Sequence, residues 1–327
     1  MAHMIDETNA APAIAYRGDV PWHGLGATIG ADDDLATIGQ KAGLSHMVRE
    51  SIAQYDSFMD GDAEESILRT VKPVPDRKVL WRSDSRAPLA VVSKDYKVVQ
   101  PMEVLAFFDE MVKSGGFSIE TAGALSGGKR VWANARIGPS ANVTGQDSVT
   151  PFILLATSYD ASMATVCKFV YERTVCHNTI TAALGENGKE VKVYHSQQFD
   201  AARVRQDMGV ALNAFEAWVI KARLLATLPL PDAKATELTE ALLLPYTTMD
   251  DVTKSRGFQS VMTLFKGAAI GSGLTQGGTA WQWLNAVTEH TDWSRGRSAD
   301  NRVNSAWFGE GDAIKTKAQD MVLELVA

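Results

Sequence analysis

Residues 151–184 read PFILLATSYDASMATVCKFVYERTVCHNTITAAL, and this stretch decides the fold that the sequence predicts. Its apolar start predicts a strand, the polar residues 158–162 predict a turn, and the next apolar run predicts a second strand. Asn178 and Thr179 then predict the beginning of a helix. No nucleophile–base pair, metal-ligand cluster or phosphate-binding loop accompanies the stretch, so it is typical of the centre of a binding fold.

A β-hairpin is predicted just before this stretch. Residues 117–125 and 131–137 have the composition and alternation of strands, with residues 126–128, Ser-Gly-Gly, between them. Glycine supplies the positive φ that a tight reversal requires, so these three residues predict the turn. Two shorter strands are predicted further upstream, at residues 78–82 and 89–93.

Helices are predicted for most of the C-terminal part. Residues 199–228 place apolar side chains at alternating spacings of four and three, which predicts a long helix with a heptad seam. That seam is either a packing face within the chain or a contact between subunits. Shorter helices are predicted at residues 233–244, 258–270, 280–291 and 312–326.

These elements predict an α+β protein. A central antiparallel β-sheet with flanking helices spans residues 71–198, and a C-terminal helical region spans residues 199–327. Residues 1–70 are an acidic N-terminal segment, which we expect to pack onto one of these units or to fray.

Composition narrows the classes of function. Of the 327 residues, 45% are apolar and 22% are charged, as in ordinary globular proteins. No apolar run approaches the roughly 20 residues of a membrane span, and the N-terminus does not resemble a secretory signal. Cys167 and Cys176 are the only cysteines. We therefore expect a cytoplasmic protein without disulfides or a membrane partner.

Charge is distributed unevenly along the chain. The net charge is −7, and residues 1–70 carry 4 basic and 12 acidic side chains. Residues 71–137 carry 11 basic and 7 acidic side chains, so a basic segment lies within an acidic protein. This segment is either chance clustering on a solvated surface or a local anion-binding surface, which overall acidity does not exclude.

The hairpin concentrates the side chains that single-stranded nucleic acid requires, which are cations for the phosphates and flat rings for the bases. The alternative is that its tryptophan packs beneath a helix and that the charges are ordinary surface groups. The predicted nucleic-acid-binding residues, including two cations upstream of the hairpin, are Lys78, Arg82, Lys129, Arg130, Trp132 and Arg136. Further cations that extend the same phosphate track are Lys72, Arg77 and Arg86.

No catalytic or metal-binding constellation is predicted. Asp160 has no partner base at an identifiable spacing, so residues 158–162 are interpreted as a polar turn in which Asp160 caps backbone N–H groups. The glycine-rich turns lack the spacings of nucleotide-binding loops. Zinc-binding atoms occur without the spacing of a compact zinc site at Cys167, Cys176, His177 and His195. We expect no enzymatic activity and no cofactor.

Several motifs together resemble an uncharacterised family of phage- and plasmid-like proteins of unknown function. The motifs are PWHGLG at 21–26, YKVVQ at 96–100, AGAL and GGKRVW within 122–132, SYDAS at 158–162 and RTVCHNT at 173–179. At residues 158–162 the family usually has Ser-His-Asp-Gly-Ser, whereas this chain has Tyr159 in place of the His and Ala161 in place of the Gly. A catalytic role of that histidine in relatives would be lost here. The resemblance implies a mobile-element origin in a bacterial host, and it implies no reaction.

Residues 96–184 also resemble, in the order of their elements, the annealing core of phage single-strand-annealing recombinases. This resemblance implies a recombination-type protein that binds single-stranded DNA and assembles side by side as a homo-oligomer. The alternative is an oligomeric structural or host-interaction protein of a mobile element that binds no nucleic acid. A hydrolase that uses Asp160 and His177 is a third hypothesis.

Overall fold

The computed structural model describes residues 5–7, 11–18, 25–57, 70–113, 117–173, 178–181, 190–208, 211–274, 277–296 and 302–326. The strands are β1 (Ile14–Tyr16), β2 (Ala27–Thr28), β3 (Val48–Ser57), β4 (Thr70–Arg82), β5 (Pro88–Ser93), β6 (Ser118–Leu125), β7 (Arg130–Arg136), β8 (Ala141–Thr144), β9 (Asp147–Ser158), β10 (Thr165–Arg173), β11 (Asn178–Thr181) and β12 (Glu190–Val193). The helices are α1 (Leu35–Lys41), α2 (Pro101–Ala106), α3 (Asp109–Lys113), α4 (Ala201–Met208), α5 (Ala211–Thr227), α6 (Asp232–Leu243), α7 (Arg256–Thr263), α8 (Ala280–Glu289), α9 (Arg302–Phe308) and α10 (Glu310–Leu323). The predicted α+β class is confirmed.

The strands form two sheets. The larger one, the main sheet, has the order β11-β10-β9-β7-β6-β1-β2, with β12 also paired to β10 and β8 to β9. Its pairs are antiparallel apart from β1 with β2. The predicted hairpin is β6–β7, and its turn has positive φ at Ser126, Gly127 and Gly128. The smaller sheet, called the small sheet, has the order β3-β4-β5.

Both faces of the central strands in the main sheet are covered. On β7, Val131 and Ala133 belong to the large apolar core, which also takes in side chains of α2, α5 and α8. Trp132, on the opposite face, belongs to a second apolar cluster with Leu154 of β9, against which Trp307 of α9 packs. A strand that is buried on both faces reads as a continuous apolar run. This explains the run FILLA at the start of the stretch that opens the sequence analysis.

One local prediction in this region is wrong. Residues 178–181 are strand β11 rather than the start of a helix, because they pair in an antiparallel ladder with residues 170–173 of β10. Asn178 and Thr179 resemble a helix cap, but pairing along the sheet edge overrides that local signal. Between β7 and β9 the chain forms a further strand, β8, which folds back onto β9.

The heptad seam is buried within the chain. The described parts of the long predicted helix are α4 and α5, and the seam residues Val204, Phe215, Trp218, Ala222 and Leu225 all lie in the large core. Trp218 packs at 4.1 Å between ring centroids on Tyr171 of β10. The seam is therefore a packing face against the sheet, and its interpretation as a subunit contact is wrong.

The N-terminal segment contributes strands to both sheets. Strand β1 pairs with β6 inside the main sheet, and β3 pairs with β4 across the boundary expected near residue 70. The predicted strands at 78–82 and 89–93 correspond to parts of β4 and β5. The described strands of the acidic segment therefore pair with strands that follow residue 70.

Arg82, at the end of β4, joins the two sheets and the N-terminal segment. Its side chain is fully buried. Its Nε and Nη2 atoms donate to the carboxylate of Asp84 at 3.0 and 2.7 Å, and Nη1 donates to Asp6. The same Nη1 lies 3.4 Å from the carbonyl of Gly127 in the β6–β7 turn. A Cβ on Gly128 (φ +83°) would lie 2.5 Å from Nη1, so the turn needs glycine there.

We expect Arg82→Met to lower the free energy of unfolding by about 3–5 kcal/mol, because it leaves the carboxylate of Asp6 buried without its cation. Urea unfolding followed by circular dichroism measures the change. Arg86→Met is the matched control, since Arg86 is exposed in the same β4–β5 turn, and its cost should stay within about 0.5 kcal/mol. Equal losses in the two variants would contradict the role of Arg82 as the link between the sheets.

Candidate nucleic-acid interface

Trp132 is not open to solvent. Its side chain is 3% exposed, and its ring meets that of Trp307 edge-on, with 5.0 Å between the centroids. The indole Nε1 is buried and has no hydrogen-bond partner among the described residues. The alternative, in which Trp132 packs beneath a helix, matches its position under α9. The expectation that this ring lies open for base stacking is wrong.

Most of the predicted cations are engaged by neighbouring groups. Lys78 donates to the carbonyl of Tyr96 at 2.7 Å and lies 2.9 Å from Glu50. Arg82 is the buried link described above. These two residues therefore stabilise the fold and do not form a phosphate track. The expectation that they lie open to a polyanion is wrong.

The cations of the hairpin are half-buried. Arg130 donates to the hydroxyl of Ser162 at 2.9 Å. Arg136 donates to the carbonyl of Gly138 at 2.9 Å. Lys129, at the tip, makes no side-chain hydrogen bond or ion pair within the described part of the chain. The hairpin thus presents one unengaged cation and no accessible ring.

The turn at 158–162 has the structural role that the sequence indicates. Asp160 accepts a hydrogen bond from the backbone N–H of Ser162 at 3.1 Å and also binds its hydroxyl. Tyr159 is fully buried, and its hydroxyl donates to the carbonyl of Val99 at 3.0 Å. In place of the family's histidine, the chain therefore has a core side chain.

The residues considered for zinc do not meet in the described structure. Cys167 is buried, and burial raises the pKa of its thiol well above the usual value. His195 directs Nδ1 and Nε2 at the carbonyls of Lys97 and Met163, at 3.0 and 3.1 Å. Cys176 and His177 lie outside the described residues. Among the residues that are described, no group of three or more potential metal ligands occurs.

A better candidate surface lies on the small sheet. Side chains alternate along β4, and Leu80 and Arg82 point into the protein. Arg77, Val79 and Trp81, at the alternate positions, therefore face the other way. We call this second face the outer face. It consists of Arg49 and Ser51 from β3, Arg77, Val79 and Trp81 from β4, and Val91 and Ser93 from β5.

The outer face combines an aromatic ring with cations. Arg49 is directly opposite Trp81 in the β3–β4 ladder, and Arg77 is opposite Ser93 in the β4–β5 ladder. Trp81 is half-buried, whereas both arginines are exposed, and Val91 is 60% exposed. The exposure of Arg49, Arg77 and Val91 indicates that no described element covers this part of the outer face.

Electrostatics on the outer face favour an anion. The face carries two guanidinium groups and no carboxylate, and neither the side chain of Arg49 nor that of Arg77 makes a hydrogen bond or ion pair within the described residues. Asp76 is the nearest carboxylate along β4, and Lys94 lies 2.5 Å from it. The ammonium of Lys94 holds the pKa of Asp76 below its usual value, with a smaller effect from Arg77. The arginines of the outer face therefore keep their charge available.

The sequence carries a signal for this face in the alternation of residues 77–82. Arg77, among the additional cations of the predicted track, is one residue from Lys78, but the two point to opposite faces. In the run RKVLWR at 77–82, the apolar Leu80 identifies which of the alternating positions face the core. Lys78 and Arg82 share the inward face with Leu80, and Arg77 and Trp81 lie on the outward face.

Paired tryptophan variants separate the buried ring from the surface ring. We expect Trp132→Ala to lower the free energy of unfolding by about 3–5 kcal/mol, because a fully buried aromatic side chain leaves a cavity. Trp81→Ala should cost only about 1 kcal/mol, since its ring is partly solvated already. Urea unfolding of both variants gives the comparison, and a larger loss at residue 81 than at residue 132 would refute this assignment.

No described helix is long and apolar enough to cross a membrane. No curated protein and no solved structure matches the chain. A family model does match: DUF932, a domain of unknown function, covers residues 88–307, about two thirds of the chain. The match includes the main-sheet hairpin and most of the helices, whereas β3 and β4 precede it. The chain therefore belongs to the DUF932 family.

Proposed function

We propose that this protein binds single-stranded DNA on the outer face of the small sheet. The observation that carries the proposal is the juxtaposition of Trp81 with Arg49 on an uncovered sheet face that has no carboxylate. The ligand is the one expected from the sequence, single-stranded DNA. The binding surface that we propose is β3–β5 instead of the β6–β7 hairpin.

The chemistry of the outer face suits a single strand. A base can stack on the exposed part of the Trp81 ring, and such stacking contributes about 1–3 kcal/mol per base. The guanidinium groups of Arg49 and Arg77 can each neutralise one phosphate. Ser51 and Ser93 add small hydroxyl groups that do not obstruct the face. Recognition of this kind tolerates any base sequence, since every base has a flat face.

The overall charge of the protein limits the strength of this interaction. With a net charge of −7, long-range attraction to DNA is absent, so binding depends on local contacts. Two phosphate contacts on a single strand predict a slope of about −1.4 for log K against log salt concentration. We therefore expect weak, salt-sensitive binding by one chain, which side-by-side assembly of several chains on one strand would strengthen.

The biological setting in this proposal is recombination on a phage or plasmid. Its support is the likeness of the motifs to a mobile-element family and the order of elements, in which α2 is followed by an antiparallel meander. No covalent step is part of the function, so no cofactor is included. A homo-oligomer formed on DNA remains part of the proposal, although the heptad seam no longer contributes to it.

A structural or host-interaction protein is the second candidate. It is favoured by Val79 and Val91, which give the centre of the outer face an apolar character that also suits a protein partner. The two candidates differ in their response to salt, because contacts through valine do not release counterions.

Fluorescence anisotropy with a labelled 40-mer oligodeoxynucleotide at low salt tests the proposal. Trp81→Ala should weaken binding about 5- to 150-fold, the equivalent of the loss of one stacked base. Trp81→Phe should retain most of the affinity, since it keeps a flat ring. An absence of binding by the unaltered protein would refute the DNA-binding function, and full affinity in Trp81→Ala would refute the surface.

The arginines have a separate test. The double variant Arg49→Gln with Arg77→Gln should reduce the salt slope by about 1.4, because two phosphate contacts are lost. As the control, the double variant Lys221→Gln with Arg256→Gln, at exposed positions in α5 and at the start of α7, loses the same two charges and should leave the slope unchanged. Equal slopes in the double variant and the control would show that these arginines do not contact phosphates.

A further inference from the structure

A cleft lies on the opposite side of the main sheet from the large core, where β10 and β12 meet α9. Its volume is about 290 Å³. Apolar and aromatic side chains, Met163, Tyr194 and Phe308, line part of its wall. The ring of Tyr194 is 61% exposed, and that of Phe308 is half-buried. The cleft therefore offers aromatic surface that the fold does not cover.

Charged groups of both signs line the rest of the cleft. Lys168 is buried there, 2.9 Å from Asp312, and also donates to the carbonyl of Trp307. Lys192 lies 2.5 Å from Glu190. The carboxylate of Glu190 raises the pKa of Lys192, so this group is a cation at neutral pH. Two ammonium and two carboxylate groups leave the lining close to neutral.

The size of the cleft restricts the ligand. Sites for small molecules usually have volumes of about 300–1,000 Å³, so this cleft is at the lower limit and suits a single ring system. A smaller void of about 10 Å³ adjoins it and shares Lys168, Trp307 and Asp312 with it. That void has room for about one water molecule. Any larger group must therefore lie in the cleft itself.

The lining also restricts the chemistry of the ligand. A purely apolar ligand would remove water from the partly exposed Glu190, Lys192 and Asp312 and give them no new partner, which is costly. A polyanion would meet the carboxylates of Glu190 and Asp312. A planar heterocycle with both N–H donors and carbonyl or ring-nitrogen acceptors satisfies both requirements. It stacks on the aromatic wall, donates to the carboxylates and accepts from Lys192.

We propose that this cleft binds a nucleobase, stacked on Tyr194 and hydrogen-bonded by Glu190 and Lys192. The base comes either from a free nucleoside or nucleotide or from a base of a single strand. The site is separate from the outer face of the small sheet, and it does not rest on the function proposed for that face.

Isothermal titration calorimetry with adenosine, AMP and ribose 5-phosphate tests the site. Adenosine and AMP should bind with dissociation constants within about threefold of each other, and ribose 5-phosphate, which has no base, should not bind. Tyr194→Ala should weaken adenosine binding at least about fivefold, the lower end of the effect of one lost stacking contact. Tyr194→Phe should restore it. Tyr55→Ala, at a 50% exposed tyrosine on β3, is the matched control.

Three results would overturn the proposal: no binding of adenosine at millimolar concentration, ribose 5-phosphate binding as tight as AMP, or unchanged adenosine affinity in Tyr194→Ala. The oligonucleotide assay then distinguishes the two sources of the base. If the base belongs to a strand, Tyr194→Ala weakens 40-mer binding and AMP competes with the 40-mer. If the base belongs to a free nucleoside or nucleotide, Tyr194→Ala weakens adenosine binding and leaves the affinity for the 40-mer unchanged.

Discussion

The ionic group formed by Arg82 with Asp6 and Asp84 is the contact on which the arrangement of the two sheets depends. Arg82 ends the middle strand of the small sheet, Asp6 precedes the first strand of the main sheet, and the β6–β7 turn closes over the guanidinium. A buried guanidinium with two carboxylates is stable only when every partner is in place. The contact therefore favours one relative position of the two sheets over others.

The same position gives the small sheet one buried face and one open face. Leu80, Arg82 and Val92 face the core, so the strands β3–β5 follow the in–out alternation of a half-covered antiparallel sheet. The main sheet differs, because the core covers one of its faces and α9 and the N-terminal segment cover much of the other. An open and cationic surface is thus a property of the smaller sheet, whereas the larger sheet contributes a cleft at the edge of its covered face.

Local sequence patterns predicted the β6–β7 hairpin, the strands β9 and β10 and the C-terminal helices, because alternation, turn glycines and helical spacing act over a few residues. They did not predict that Trp132 is buried, since its cover, Trp307, is 175 positions away along the chain. Arg82 was misjudged for the same reason, because one of its partners, Asp6, belongs to the distant N-terminal segment. The outward orientation of Trp81, in contrast, can be predicted locally, because side chains alternate along a strand and the neighbouring Leu80 points inward.

In the main sheet, strand β1 lies between β2 and β6. Strand β6 therefore pairs with a segment that lies far upstream of it along the chain. Its partner residues in β6, such as Gly123 opposite Ile14, are made about 110 residues later. At about 5–20 residues per second, β1 leaves the ribosome roughly 5–20 s before that partner exists. During synthesis this short apolar segment must wait without its antiparallel partner β6, which makes it a natural target for a chaperone that holds nascent chains.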